Sequence, residues 1–378
     1  MPKGARLIGS FRYRNLRYTK NHPLRVPRVS LLLELLLALG LLEEEELVES
    51  RPALWEELTL FHEEEYLRAL EECDRCQCVK KDYRERFNIG TYENPVSPAM
   101  WRGSLLATGS SIQAVELYLK GYVAFNPAGG MHHAYPSRAK GFCFINDPGV
   151  TLQTLLKEGF RRVLYIDLDA HHCDGVQDFF YEEDRVFVLS LHQSPEYAFP
   201  FSRGYLKERG AGKGKGYNLN LPLPPGLKDG EFLYVLEKSL TLIKDIYKPE
   251  VYVLQLGTDA LKEDYLSKFE LSNRGFLEAF DLVRDLLGEG VYLGGGGYHP
   301  VALARAWVLL WCRLSQKPIP EFLTPKAREV LLSVDFEEFE EDVDRGYMYE
   351  KLLDPPAVGE VRREVKRLVE EAIGYYLF

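Results

Sequence analysis

Short apolar runs without polar alternation recur along the chain: Tyr122–Phe125, Val163–Leu168, Val186–Leu191, Val251–Leu256 and Val291–Leu293. Each is rich in Val, Ile, Leu or aromatic side chains, the pattern of strands buried on both faces. Between them the apolar positions change to helical spacing. Phe232, Leu236, Leu240, Ile243 and Tyr247 step by four, four, three and four, which predicts one buried helical face. Helices over 104–120 and 276–287 are closed by Gly121 and Gly288, as helix ends often are. Asp147 followed by Pro148 predicts an N-cap and a first-turn proline for a helix over 150–158, ended by Gly159. Strands alternating with helices predict an α/β fold, a parallel sheet with helices on both faces. No Pro/Ser/Gly linker divides the sequence, so one domain over 1–378 is expected. The charged segment from about 318 to 378, with a helix over 360–373, is expected to pack on its rim.

Composition narrows the class. The 378 residues are 46% hydrophobic and 28% charged, the balance of a folded soluble domain rather than a disordered chain. A net charge of −10 disfavours phosphate-backbone binding and favours a cationic substrate. The apolar stretch 31–42 is broken by Glu34 and is shorter than the roughly 20 residues a membrane span takes. With no apolar segment behind the basic N-terminus, a cytoplasmic protein without membrane attachment is expected. Sparse Asn and Gln beside abundant Glu, Lys and Arg hint at a thermophilic source. Cys73, Cys76 and Cys78 form C-x-x-C-x-C, but structural zinc takes four ligands and no second C-x-x-C follows. These three are read as incidental thiols at the polar end of a helix.

The chemistry gathers at predicted strand ends. Asn126-Pro-Ala-Gly-Gly-Met-His132-His133 follows the first strand and Asp167-Leu-Asp169-Ala-His171-His172-Cys-Asp174 closes the second. Gly257-Thr-Asp259 and Gly294-Gly-Gly-Gly297-Tyr298 follow the last two. Ligands bind beyond the carboxyl ends of strands in open α/β sheets. If the 167–171 run is extended, Asp167, Asp169 and His171 share a face. Asp169 and His171 are then spaced to hold one cation, with Asp259 as a third ligand. Two carboxylates and one imidazole with a position left open describe a catalytic metal site, best suited to zinc and open to ferrous iron or cobalt. The tandem His132-His133 offers proton transfer, with Asp167 and Asp174 as the carboxylates that orient them. Tyr298, free to swing behind four glycines, offers a hydrogen bond to a developing oxyanion. No dinucleotide fingerprint is complete, because His299 and Lys215 stand where the last glycine belongs. The glycine-rich 210–216 stretch also lacks a P-loop pattern and reads as a mobile loop.

At these residues the sequence resembles the histone deacetylase family, in particular its class I-like prokaryotic members. The resemblance rests on Pro127-Ala-Gly-Gly-Met-His-His-Ala134, Gly141-Phe-Cys-Phe-Ile-Asn146, Tyr165-Ile-Asp-Leu-Asp-Ala-His-His-Cys-Asp-Gly-Val176, Gln255-Leu-Gly-Thr-Asp259 and Gly294-Gly-Gly-Gly-Tyr298, within a similar region of about 7–310. It implies a single-domain arginase/deacetylase fold around a mainly parallel eight-stranded sheet. It implies zinc on Asp169, His171 and Asp259, His132 paired with Asp167, and His133 with Asp174. By the resemblance Tyr298 would polarise the acetyl carbonyl; of the coupled histidines, His133 is favoured as main proton shuttle with His132 as electrostatic support, and the reverse division stays open. By the same resemblance Gly141, Phe142, Phe199 and Leu266 line a tube for an acyl-lysine stem. Tyr92 and Glu93 stand at its rim, where the family's acid is usually an aspartate. A K⁺ or Na⁺ site near Asp167, Asp169, His171, Ser190 and Leu191 also carries over. Arg28 would border an internal acetate-release cavity, a plain ion pair being the alternative.

The expected activity is hydrolysis of an N-acetylated amine, most simply acetyl-lysine in a protein. An acetylpolyamine or acetoin-utilisation type of substrate is the alternative. A binuclear manganese ureohydrolase is more remote, because Cys173 and Leu261 occupy the positions of its second-metal ligands. A binding module without turnover is more remote still, since every catalytic position is filled. The sequence does not specify an oligomeric state.

Overall fold

The computed structural model describes residues 2–336 and 346–376. Eight strands form one sheet: β1 (Ala5–Gly9), β2 (Leu47–Glu49), β3 (Val123–Asn126), β4 (Val163–Asp167), β5 (Val186–Gln193), β6 (Asn218–Leu223), β7 (Val251–Gln255) and β8 (Val291–Leu293). Their order is β2-β1-β3-β8-β7-β4-β5-β6, and every pairing is parallel. The sheet is therefore wholly rather than mainly parallel, with the five predicted runs as its β3, β4, β5, β7 and β8.

Those runs lack polar alternation because both faces are covered. Leu164 and Ile166 enter the core on one side together with Tyr252 and Leu254. Val163 and Tyr165 enter the core on the other side together with Val251 and Val253. Helix Asp229–Ile246 buries the predicted Phe232, Leu236, Leu240 and Ile243. Helix Pro300–Ser315 is almost entirely buried, with Pro300 in its first turn and the His299 side chain accepting from Ala302 N–H. A third apolar cluster gathers around helix Glu64–Cys76.

Two local expectations change. The helix expected from 150 runs over Asp147–Lys157, and its N-cap is Asn146, whose side chain accepts from Gly149 N–H. Asp147 instead turns back to bind the loop after β3. Of the three clustered thiols, Cys76 and Cys78 are joined in a disulfide, while Cys73 is free and buried.

The C-terminal segment packs on the sheet's flank, although 337–345 and 377–378 lie outside the described residues. Its last helix is Arg363–Gly374, just before which Arg362 Nε donates to Glu231 at 2.6 Å. Buried Arg305 and Asp354 pair at 2.8 Å, and Asp354 also accepts from Asn273 N–H at 2.9 Å. Among the described residues, no helix is long and apolar enough to cross a membrane.

Candidate functional site

Four neighbouring strands, β3-β8-β7-β4, form the middle of the sheet, and the loops leaving their carboxyl ends carry the predicted residues. Asp169, His171 and Asp259 are all buried, and their ligand atoms lie within 4.8 Å of one another. β4 ends at Asp167, so the run beyond it is not extended. Asp167 Oδ1 accepts from Asp169 N–H at 3.1 Å and Asp169 Oδ1 from His171 N–H at 3.0 Å. These two local side-chain turns, not strand alternation, bring Asp169 and His171 together. His171 Nδ1 stands 2.9 Å from Asp259 Oδ2 and 3.2 Å from Asp169 Oδ1. Its Nε2–H donates to Leu266 O at 3.3 Å, which turns Nδ1 towards the carboxylates; burial lowers His171, but its hydrogen bonds to Asp169 and Asp259 outweigh that and raise it well above its ordinary value.

The surroundings fit a divalent cation. Burial raises Asp259 to about 8, and the neighbouring Asp169 carboxylate pushes the same way. Asp169 is itself buried, yet His132 and His171 hold it well below the usual carboxylate range. Two buried carboxylates this close carry full charge only against a cation. Gln255 Nε2 and Gly296 N–H steady Asp169 Oδ2 at 2.8 and 2.7 Å. A Cβ on Gly296 would lie 2.1 Å from Asp259 Oδ2, so the glycine run makes room for the carboxylates.

Two histidine–aspartate pairs stand beside this triad. His132 Nδ1 meets Asp167 Oδ2 and His133 Nδ1 meets Asp174 Oδ1, each at 2.7 Å. The two Nε2 atoms stand 3.0 Å apart. Burial pulls His132 down, but Asp167 and Asp169 outweigh it and raise the group to about 9. Burial and the His132 charge lower His133 to about 4. The pair thus carries one positive charge rather than two at neutral pH, His133 being the neutral member.

Tyr298 is buried, with its backbone held and its ring in contact on several sides. Its N–H donates to Asp264 at 2.6 Å, and its ring meets Phe142, His171 and Tyr265 edge-on. Burial raises its hydroxyl well above the ordinary value, and Asp259 and Asp169 push it further, so it keeps a proton to donate. Phe199 stands edge-on to His133 with centroids 4.9 Å apart, opposite in role to Phe142 beside the tyrosine. Gly141 takes a φ of +55°, and a Cβ there would lie 2.4 Å from the His133 ring. Leu266 contributes the carbonyl that holds His171.

The remaining predicted positions fare differently. Tyr92 is 89% exposed, as a rim residue is. Glu93 is not free at the rim: it accepts from Gly141 N–H at 2.5 Å and Asn88 Nδ2 at 3.2 Å. Ser190 and Leu191 are buried in β5, and Ser190 Oγ donates to His192 Nδ1 at 2.8 Å. Arg28 makes carbonyl contacts instead of a plain ion pair. Its Nη1 donates to Gly295 O and Gly297 O at 2.8 and 3.2 Å, beside a cavity of about 80 Å³ that Tyr18, Ala128 and Met131 also line.

Several supports have no signal in the sequence patterns. Asp264 binds the N–H groups of both Tyr298 and Leu266. Asp147 binds those of Gly130 and Met131, each at 2.9 Å, and so sets the loop that ends in the histidine pair. His62 secures the same region, accepting Asn146 N–H on Nε2 at 2.9 Å while Nδ1–H donates to Pro136 O at 3.1 Å. Burial lowers His62 to about 4 from 6.5. The unfolded chain therefore binds the extra proton first, and stability drops as pH falls from about 6.5 towards 4. Replacing His62 with Gln is expected to reduce the slope of unfolding free energy in that window by up to about 1.4 kcal/mol per pH unit, read from urea titrations. An unchanged slope contradicts this.

A family model described as the histone deacetylase domain matches residues 22–314. The chain belongs to the histone deacetylase family. Histone deacetylase 1 of Homo sapiens is 37% identical over 297 residues, 78% of this chain and 61% of that protein. The family member described here thus spans less than two thirds of that relative's length. Acetoin utilization protein AcuC of Bacillus subtilis is 33% identical over 310 residues, 80% of each chain. A crystal structure of a histone deacetylase homologue from Aquifex aeolicus is 65% identical, with a TM-score of 0.97 over 98% of this chain and all of that one. A structure of such a homologue complexed with SAHA, at 64% identity, superposes with the same TM-score. Within this family fold, Asp169, His171 and Asp259 are, among the described residues, the cluster of three side chains close enough to share an ion.

Proposed function

We propose that the protein hydrolyses the amide of an N-acetylated amine, with acetyl-lysine side chains of proteins as its substrates and zinc as its metal. The observation that carries this reading is the buried Asp169–His171–Asp259 triad facing two histidine–aspartate pairs and a protonated tyrosine. Family membership and the SAHA complex of a close homologue support it.

A divalent cation bound by the triad supplies Lewis-acid polarisation of the amide carbonyl and acidifies a water. His133, neutral at its working pH, takes the water's proton at Nε2. His132, held charged against Asp167, stabilises the negative charge that develops. The Tyr298 hydroxyl donates to the amide oxygen as it becomes an oxyanion. His133 then returns its proton to the departing amine. Phe142 and Phe199 flank the acyl-lysine stem, each buried methylene contributing about 0.8 kcal/mol. With Glu93 committed to Gly141, a substrate's backbone is held by other rim groups. A K⁺ or Na⁺ ion near Asp167 and Ser190, an acetate path past Arg28 and a cytoplasmic location belong to the same proposal.

The match to acetoin utilization protein AcuC over 80% of both chains favours a second reading, a deacetylase of the acetoin-utilisation type, beside the acetylpolyamine alternative. Turnover of acetyl-lysine peptides is expected to exceed that of acetylpolyamines. The measurement is kcat/KM on both with zinc-loaded protein, and a preference for the polyamine reverses the assignment.

A further inference from the structure

The two histidine–aspartate pairs look alike from the imidazole side but differ behind the carboxylate. On Asp167, the donors besides His132 are neutral: Tyr165 OH at 2.6 Å and Asp169 N–H at 3.1 Å. On Asp174, whose Oδ1 faces His133, the second oxygen receives Lys140 Nζ at 2.5 Å and Tyr135 OH at 3.1 Å. The Tyr135 hydroxyl also meets Asp178 at 3.2 Å, and Asp178 is paired with Arg203. Lys140 is therefore the cation in direct contact with a fully buried carboxylate, while the next acid outward has its own partner.

The backbone fixes where Lys140 reaches. Its N–H and carbonyl pair with Cys143 at 3.1 and 2.9 Å, closing the tight turn that carries Gly141 and Phe142. From there the ammonium lies 5.4 Å from the centre of the Phe199 ring and 5.3 Å from that of Tyr135, within the range of a cation–π contact. One side chain thus touches the carboxylate behind His133 and a wall of the proposed acyl tube.

We propose that Lys140 is a positioning residue for the proton-transfer pair, a role that rests on the deacetylase reading above. Its charge balances Asp174 and holds the carboxylate in line with His133 Nδ1, giving the His133 pair a side-chain countercharge of its own where Asp167 would depend on the proposed K⁺ or Na⁺ ion. A buried carboxylate served by neutral donors alone keeps its whole charge on the imidazole hydrogen bond. With an ammonium on the far oxygen, that charge is shared and the carboxylate cannot rotate. Outer partners of this kind typically change activity by 10–100-fold when removed.

The test uses zinc-loaded full-length protein and three variants. In Lys140→Met, kcat is expected to fall roughly tenfold with KM held within about twofold, because the lysine acts through Asp174 and not on the substrate. The hydrogen-bonded Nδ1 proton of His133, assigned as the downfield resonance missing from Asp174→Asn, is expected to move further downfield as Asp174 loses its countercharge. Lys140→Arg, which keeps the charge, is expected to hold both kcat and the resonance near wild type. A resonance unmoved in Lys140→Met overturns the proposal, whether or not kcat falls, since Lys140 would then be no more than a wall residue. If the wild type cleaves no acyl amide, the deacetylase reading fails and the resonance alone decides the role of Lys140.

Discussion

Chelation is expected to abolish amide hydrolysis, and one equivalent of zinc per chain to restore it. The triad holds two buried carboxylates and an imidazole whose ligand atoms crowd within 4.8 Å, and the proposed Lewis acid is the ion they would hold. Loss of carbonyl polarisation and of an acidified water removes several kcal/mol of transition-state stabilisation, roughly 10³-fold or more in rate. Asp259→Asn reaches the same end genetically. The amide keeps the shape of the carboxylate and an oxygen for the Ala170 N–H bond, now 2.8 Å long, while removing one ligand charge. Elemental analysis should find one ion per chain in the wild type and far less in the variant. Two ions per chain, or full turnover in chelator, contradicts a single-metal site.

Tyr298→Phe is expected to lower kcat by about 10²–10³-fold, the effect of losing one oxyanion donor, while KM changes little. The ring contacts with Phe142, His171 and Tyr265 and the backbone bond to Asp264 all survive this change. A fall in kcat therefore reports the hydroxyl alone. Steady-state kinetics on an acetyl-lysine peptide, alongside an unchanged melting curve, makes the measurement. Equal catalysis by both proteins removes the oxyanion role from Tyr298.

The central strands were legible because burial on two faces leaves an unbroken apolar run, as in β4, where Val163 and Leu164 serve opposite cores. The sheet's margins were not. β6 carries Asn218, Asn220 and Pro222 between its leucines, and both asparagines bond Gln177 rather than packing apolar groups. Proline is tolerated there because the strand lies at an edge. In the site, the candidate triad of Asp169, His171 and Asp259 followed from residue type and from strand ends. Their supports did not, because Asp264, Asp147 and Glu93 act on backbone N–H groups that leave no trace in side-chain identity. The four glycines before Tyr298 look permissive in sequence, but Arg28 fastens two of their carbonyls.

The all-parallel middle of the sheet also divides the molecule into two ends with different evolutionary freedom. The loops carrying the triad, the histidine pair and Tyr298 depart from one end, and the turns feeding the strands, such as the one at Glu250 before β7, arrive at the other. Fusions, insertions or docking proteins can therefore accumulate on that distal end without displacing a reacting atom. Changes of acyl preference, by contrast, are confined to the few loops crowded at the mouth.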